Sequence, residues 1–257
     1  MTYRTVAFEA AQLAGKHLMK HYHKLKRAEI HKKSTYDLVT EADLGANNII
    51  IKTIKKYYPN HDFLSEETGL ENNPDIYEWV IDPLDGTSNY VIGNPLFCIA
   101  IALRYKSKIL LSVQYAPATD EFYYAEYGKG AYLNNRKLSV SRTTRLLDSM
   151  ITFARSKHPQ SRNKYVQVQK DLQGKVLNMR HFGSTALTLA YVAAGRVAGG
   201  IIMPPGIASW DILPGVLLVR EAGGVVTDLD GKRWTLNSQG IVATNGRIHK
   251  QFLKIVQ

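Results

Sequence analysis

Trp79-Val80-Ile81-Asp82-Pro83-Leu84-Asp85-Gly86-Thr87-Ser88-Asn89, residues 79–89, is the stretch around which the rest of the chain organises itself. Its three leading apolar residues make a short buried strand that ends where Asp82 begins. Pro83 stiffens the chain there, and Asp85 follows three residues after Asp82, so both carboxylates close on a tight turn. Oxygens so placed can hold a hard cation, with the Leu84 carbonyl as a further ligand. Gly86-Thr87-Ser88 then offers free backbone N–H groups at a helix start, where a phosphate binds well. Taken alone, the stretch has a second reading: an Asp-rich surface turn with Thr87 or Ser88 as the helix N-cap.

Three more acidic segments lie outward from it. Asp37-Leu38-Val39-Thr40-Glu41-Ala42-Asp43 ends with Asp43 at a helix start, where N-capping alone would explain it. Ser65-Glu66-Glu67-Thr68-Gly69 places two acids after the apolar pair Phe63-Leu64, a pattern also common in solvated loops. Trp210-Asp211 opens a helix over 211–222, again with an N-cap alternative. Each is weak singly; the four together point to a carboxylate cluster.

Around these segments the periodicity predicts helices over 6–19 and 43–58, with apolar residues every three or four positions. Strand-like runs follow at 97–104, 109–115 and 121–126, with turns at Gly128-Lys129-Gly130 and Asn134-Asn135. After about Ser141 the texture becomes alternating: strands near 150–153, 175–180, 225–228 and 240–243, helices over 185–194 and 211–222, and a basic closing helix. Gly223-Gly224 ends the helix before it as a C-cap would. The order is helices, then a largely antiparallel sheet, then alternating α/β. We expect an N-terminal α+β subdomain over 1–141 carrying most metal ligands, and a C-terminal α/β subdomain over 142–257 carrying Asp211 and the substrate loop, packed tightly as one unit.

Composition narrows the function classes. Apolar residues make up 45% of 257, enough for a sizeable core. No run approaches the ~18 apolar residues of a membrane span, and the N-terminal sequence lacks signal-peptide order. The single cysteine, Cys98, sits in Leu96-Phe97-Cys98-Ile99-Ala100-Ile101, excludes an internal disulfide and reads as a small core residue in a reducing, cytoplasmic protein. The net charge of +11 fits either a nucleic-acid surface or a basic face that attracts anionic substrates. The cations are scattered apart from a dense stretch between Lys16 and Lys33, without a nucleic-acid-binding motif, so nucleic acid is not the expected partner.

With these residues in view, the chain resembles the inositol monophosphatase family over nearly its whole length. The resemblance rests on DLVTEAD (37–43), SEETG (65–69), WVIDPLDGTSNYVIGNP (79–95), GSTAL (183–187), WDILPGVLLVREAGGVVTD (210–228) and the closing IVATN (241–245). It implies a layered αβαβα sandwich of the inositol monophosphatase and fructose-1,6-bisphosphatase type, Mg²⁺ dependence, lithium sensitivity and a homodimer. Carried over by position, it implies that Glu66, Asp82 and the Leu84 carbonyl hold one Mg²⁺. Asp82, Asp85 and Asp211 hold a second, and a third, weaker ion near Glu66 is allowed. Such ions neutralise the crowded carboxylates, activate a water and stabilise the leaving alkoxide in an in-line displacement. The resemblance makes Thr87, Asp43 and Glu66 the residues that handle that water, with Glu67 behind them, and gives the phosphate to the Gly86 and Thr87 N–H groups. Asp85, Gly183, Ser184, Thr185 and Asp211 are expected to line the substrate site.

The alcohol side departs from the family pattern. Inositol-specific members carry a glutamate shortly before the Trp-Asp pair; here Pro204 stands at or near that place, and no acid occurs between Asp171 and Asp211. Arg155, Lys157, Arg180 and Arg196 lie in segments that approach the substrate in similar proteins, where a second phosphate, as in fructose 1,6-bisphosphate or a nucleotide bisphosphate, would suit them; ordinary surface charge explains them as well. Relatives acting on histidinol phosphate or 3′-phosphoadenosine nucleotides carry Lys after Asp-Gly-Thr; this chain has Ser88-Asn89-Tyr90, the inositol phosphatase form. The expected activity is Mg²⁺-dependent hydrolysis of a phosphate monoester on a small metabolite, inositol 1-phosphate first. A non-hydrolytic binder of a phosphorylated ligand is the weaker alternative, since every metal and water-handling position holds a competent residue.

Overall fold

The computed structural model describes residues 1–24, 30–34, 37–71, 76–155, 158, 160–205 and 207–257. Of the four cations singled out in the sequence, two give nothing here: the Arg155 side chain and Lys157 lie outside the described residues.

Two long N-terminal helices, α1 (Tyr3–His21) and α2 (Glu41–Lys55), follow from the predicted apolar stripes. Between them lies a short antiparallel hairpin, β1 (Ile30–Ser34) and β2 (Asp37–Thr40). Next come β3 (Asp62–Ser65), β4 (Gly69–Glu71), β5 (Tyr77–Asp85) and a five-residue helix α3 (Thr87–Val91). The meander β6 (Cys98–Tyr105), β7 (Lys108–Ala116), β8 (Glu121–Glu126), β9 (Gly130–Leu133) and β10 (Arg136–Lys137) completes an eight-stranded sheet of order β10-β9-β8-β7-β6-β5-β3-β4. It is antiparallel except where β3 runs parallel to β5. The second half holds β11 (Met150–Arg155), α4 (Ser161–Leu172), β12 (Asn178–Arg180), α5 (Thr185–Ala193), β13 (Gly199–Met203), α6 (Ser209–Glu221), β14 (Val225–Thr227), β15 (Ile241–Thr244) and α7 (His249–Val256). Its five strands form a mixed sheet of order β12-β11-β13-β15-β14. The short strands β3, β4, β9, β10 and β13, the hairpin β1–β2 and helix α4 are absent from the sequence expectation; a strand of three to five residues holds too few alternations to register as a pattern.

The layers follow from strand alternation. On β6, Ile99, Ile101 and Leu103 face α1 and α2, whereas Cys98, Ala100 and Ala102 face α5 and α6. Each large side chain so buried contributes roughly 1.5–3 kcal/mol. On the far sheet, Ile202, Ile241 and Ala243 face the same α5–α6 pair, and Ile201, Met203 and Val242 face α4 and α7. The result is the α-β-α-β-α sandwich. The two helices of the middle layer approach closely at Gly215 of α6, where a Cβ would stand 2.3 Å from Leu189 of α5.

The buried His249 closes the second sheet. Its Nδ1 lies 2.9 Å from Thr244 Oγ1 and its Nε2 3.2 Å from Thr227 Oγ1, and burial lowers its pKa below the ordinary 6.5. A histidine held neutral in the fold contributes stability that is complete above 6.5 and lost as pH falls below it. His249→Gln, which can still hydrogen-bond but does not titrate, is expected to lose less Tm than the wild type between pH 7 and 5. Equal losses in a thermal melt series would refute this.

Candidate functional site

The site is built on an irregularity in β5. The strand does not end at Asp82 but runs on to Asp85, and its pairing with β6 shifts between Asp82↔Ala100 and Asp85↔Cys98. β5 therefore carries one residue more than β6 across this step, which is a β-bulge. Side chains three apart on a regular strand face opposite ways; the extra residue resets the alternation, so Asp82 and Asp85 share the face of Ala100 and Cys98. Pro83, which has no N–H to give the ladder, occupies the irregular step. The expected tight turn is thus a bulge within a strand. Gly86, with φ of 91°, ends the strand and is the N-cap of α3, a role the alternative reading had given to Thr87 or Ser88. A Cβ there would stand 2.9 Å from the Leu96 carbonyl, so only glycine fits.

Other elements deliver the remaining acids. Asp211 lies in the first turn of α6 as its third residue rather than its N-cap, and its Oδ2 accepts the Ala208 N–H at 3.2 Å. One oxygen each from Asp82, Asp85 and Asp211 lies within 4.8 Å of the others. Asp85 is gripped by the start of α5: Ser184 Oγ donates to its Oδ2, as does the Ala186 N–H at 2.8 Å, and the Thr185 N–H donates to Oδ1 at 3.2 Å. Gly183, φ 71°, leads into this turn, and a Cβ on it would meet Asn89 Nδ2 at 2.8 Å. Asn89 itself ties the two loops, donating to the carbonyls of Leu96 at 2.6 Å and Phe182 at 2.7 Å. Glu66 follows β3, with its N–H on the Ile81 carbonyl at 3.1 Å; the parallel pairing of β3 with β5 sets it beside Asp82. It stands outside the trio of close oxygens, though its charge acts on both Asp82 and Asp85.

A second, smaller network adjoins the trio. Asp43 is the third residue of α2, and its Oδ2 accepts from the Thr40 N–H at 2.9 Å and from the Thr40 hydroxyl, so Thr40 is the cap. Asp43 Oδ1 faces Thr87 Oγ1 at 3.2 Å, while the Leu84 carbonyl lies 3.1 Å from the same hydroxyl. Thr87 has one proton for these two acceptors.

Burial dominates the electrostatics. Asp82 is 1% exposed, and burial, then repulsion from Glu66, Asp85 and Asp211, pushes its carboxyl well above the usual range. Burial also raises Asp85, against the lowering by its donors Ser184, Ala186 and Thr185. Asp43 is raised to about 7, chiefly by burial, opposed by its bonds from Thr40 and reinforced by Glu67 and Glu66. Carboxylates this crowded and this dry are poor hosts for their own charge and good hosts for a hard cation, which supplies the missing counter-charge through oxygen ligands. The donor set, carboxylates with a backbone carbonyl near, fits Mg²⁺.

Residues outside the cluster are engaged elsewhere. Arg196 pairs with Glu121 through two bonds and lies over Tyr191, 4.8 Å from the ring centre. Arg180 Nη1 donates to Asn178 Oδ1 and to the Met179 carbonyl at 2.9 Å. Pro204 follows the last residue of β13. Cys98 is fully buried, its Sγ 4.0 Å from Asp85 Oδ2. Sequence reasoning missed the Ala186 N–H and the Thr40 cap; the Thr-x-x-Asp spacing of 40–43 is a capping-box signal that could have revealed the latter.

Comparison with known proteins bears on the family and the fold. The model of the inositol monophosphatase family matches residues 2–257. An inositol-1-monophosphatase of Mesorhizobium japonicum is 38% identical, with 98% of this chain and 95% of that protein covered. Nus factor SuhB of Escherichia coli is 40% identical, over 96% of this chain and 93% of its own. The solved structure of extragenic suppressor protein suhB from Bartonella henselae superposes with a TM-score of 0.94 at 35% identity, covering 99% and 98% of the two chains.

The repulsion at Asp82 gives a direct test. In EDTA, Asp82→Asn is expected to raise Tm by a few degrees, because a charge that the fold disfavours is gone; in Mg²⁺ it is expected to forfeit the stabilisation the wild type gains. A variant that melts below the wild type in EDTA and still gains from Mg²⁺ would contradict this account of the cluster.

Proposed function

The chain belongs to the inositol monophosphatase family of phosphatases, and we propose that within it this protein is an inositol-1-phosphate phosphatase or a close relative acting on a small phosphorylated metabolite. The observation that carries the reading is the close trio Asp82, Asp85 and Asp211 with the Thr87–Asp43 pair adjoining it. Mg²⁺ held by Glu66, Asp82, the Leu84 carbonyl, Asp85 and Asp211, as two ions with Asp82 shared and a third weaker one near Glu66, would neutralise the acids, polarise the phosphate and acidify the attacking water. Thr87, donating its hydroxyl proton to Asp43, presents its oxygen lone pairs to that water and orients it, with Glu66 alongside. Burial, opposed by the bonds from Thr40, raises Asp43 to about 7, and cations on the neighbouring acids would bring it down from there toward its ionised, proton-accepting form. The Gly86 and Thr87 N–H groups, at the start of α3 with no internal acceptor, are donors for the phosphate oxygens. Asp211, Gly183, Ser184 and Thr185 border the substrate; the last two also steady Asp85.

For the alcohol, Pro204 in place of the family glutamate supplies no side-chain acceptor for a hydroxyl, so discrimination among alcohols is expected to be weak. Fructose 1,6-bisphosphate and 3′-phosphoadenosine 5′-phosphate are the alternatives, and the tie between Arg196 and Glu121 weighs against a second-phosphate site there. A homodimer, lithium sensitivity and a cytoplasmic location belong to the same proposal, as does joint action of 1–141 and 142–257, since the ligands come from both. No helix among the described residues is long and apolar enough to cross a membrane. A second reading has its own support: relatives named Nus factor SuhB, together with the charge of +11, favour a nucleic-acid-linked role. Salt-sensitive RNA binding would support it, and salt-insensitive or absent binding would remove it.

Phosphate release from inositol 1-phosphate, fructose 1,6-bisphosphate, histidinol phosphate and 3′-phosphoadenosine 5′-phosphate, with and without Mg²⁺, tests the proposal. Turnover of the first in Mg²⁺ is expected, and no turnover of any would sink it. Thr87→Ala is expected to lower kcat by about 10²–10⁴ while Mg²⁺ affinity stays near wild type, and Thr87→Ser to recover most of the loss. A Thr87→Ala enzyme of unchanged kcat would remove Thr87 from the water-handling pair.

A further inference from the structure

The layer between the two sheets is lined on the β6 side by Cys98, Ala100 and Ala102, yet the neighbouring strand β7 puts two polar side chains into it. Ser112 and Gln114 are both fully buried and alternate with Leu111 and Val113, which face the other way into the α1–α2 layer. A buried amide is costly unless its oxygen and nitrogen are both paired, so its partners explain its place. Only one orientation of the Gln114 amide pairs donor with acceptor at both ends: the nitrogen donates to the Ala186 carbonyl at 3.1 Å, and the oxygen accepts the Gly215 N–H at 3.2 Å. Ala186 is in the first turn of α5, and its own N–H is one of the donors on Asp85. Gly215 lies one turn beyond Asp211 on α6. One side chain thus ties the start of α5, which grips Asp85, to the second turn of α6, the helix that carries Asp211.

Helix α6 needs such support at this point. Pro214 lies inside it and has no N–H to return to the Trp210 carbonyl, so the turn that follows Asp211 lacks one of its own bonds. Ser112 adds a second tie from the same strand, donating to the Pro214 carbonyl at 2.6 Å.

We propose that Gln114 is a positioning residue for the cation site, setting the separation of Asp85 and Asp211 by tying the start of α5 to α6. The inference rests on the proposed role of these two acids as Mg²⁺ ligands. It concerns affinity for the ion rather than the chemical step, because Gln114 itself touches neither acid.

The test uses the full-length protein. Gln114→Met fills the same space without either bond, and Thr244→Val, which removes a buried hydrogen bond to His249 far from the acids, serves as a control for lost stability. Calorimetric titration with Mg²⁺ alone and kcat across a Mg²⁺ series are measured for each. Gln114→Met is expected to weaken Mg²⁺ binding by about tenfold or more, with kcat at saturating Mg²⁺ within about twofold of the wild type. Thr244→Val is expected to lower Tm and leave Mg²⁺ affinity unchanged. Wild-type affinity in Gln114→Met, or an equal loss in Thr244→Val, would overturn the inference. Should Gln114→Met not fold, Gln114→Leu replaces it, with the same expected loss of Mg²⁺ affinity at nearly unchanged saturated kcat. Wild-type affinity in Gln114→Leu would likewise overturn the inference. Absence of Mg²⁺ binding by the wild type would instead overturn the ligand assignment, and the inference with it.

Discussion

Mutual repulsion among buried carboxylates is the constraint that the rest of this molecule accommodates. Asp82 and Asp85 are almost wholly withdrawn from water, and with Asp211 they bring oxygens within 4.8 Å of one another. Left to itself such a cluster would protonate or spread apart, since isolated charges in a dry interior are strongly disfavoured. The chain holds it together with donors it can spare: the Leu84 N–H on Asp82, three donors on Asp85 and the Ala208 N–H on Asp211. These partners are all neutral. On Asp82 and Asp85 they orient the acid without cancelling its charge, which remains for a cation.

The layered architecture is what makes the arrangement possible. Backbone donors at the start of α5 grip Asp85, and the start of α6 carries Asp211, so the positive ends of both helix dipoles face the acids. Two helices can begin at one place only if they pack closely, and Gly215 against Leu189 allows that. Cys98 and Ala100, small residues opposite Asp85 and Asp82, leave room beneath them. The bulge between Asp82 and Asp85 then turns both carboxylates to the same side. Packing, backbone geometry and electrostatics thus act on the same few ångströms.

The two ends of the site differ in how much of the chemistry the chain has built. At the acid cluster, backbone donors and the Thr87–Asp43 pair converge with buried partners. Pro204 brings no side-chain acceptor, and Arg196 is committed to Glu121. Under the proposed function, an enzyme with little to grip the leaving alcohol would recognise mainly what phosphate monoesters share, because discrimination by hydroxyl contacts needs polar partners that lose something when the wrong alcohol is bound.

Much of this was legible in the sequence, because local patterns carry it. The apolar stripes of 6–19 and 43–58, the β6–β8 meander and the acid-bearing segments all express short-range physics: helical or strand periodicity, turn residues, and acids at element ends. Even Cys98 was recognisable as core from its apolar neighbours. The short strands β3, β9 and β13 were not, because a few residues cannot show a period. Asp43 and Asp211 carry an alternative reading as helix N-caps, whereas each is the third residue of its helix; for Asp43 the Thr-x-x-Asp spacing signals this, and for Asp211 no comparable cap residue precedes it. What the sequence by itself determined is the inventory: which acids exist, on which elements, and that they are of the kind that binds a hard cation. What only the tertiary structure decided is their orientation and company. The register shift that turns Asp85 beside Asp82, the commitment of Ser184 and Thr185 to Asp85, and the bridge from Gln114 to α5 and α6 all depend on partners far away in the chain. Such partners meet only when sheets and helices pack, so no local pattern could announce them.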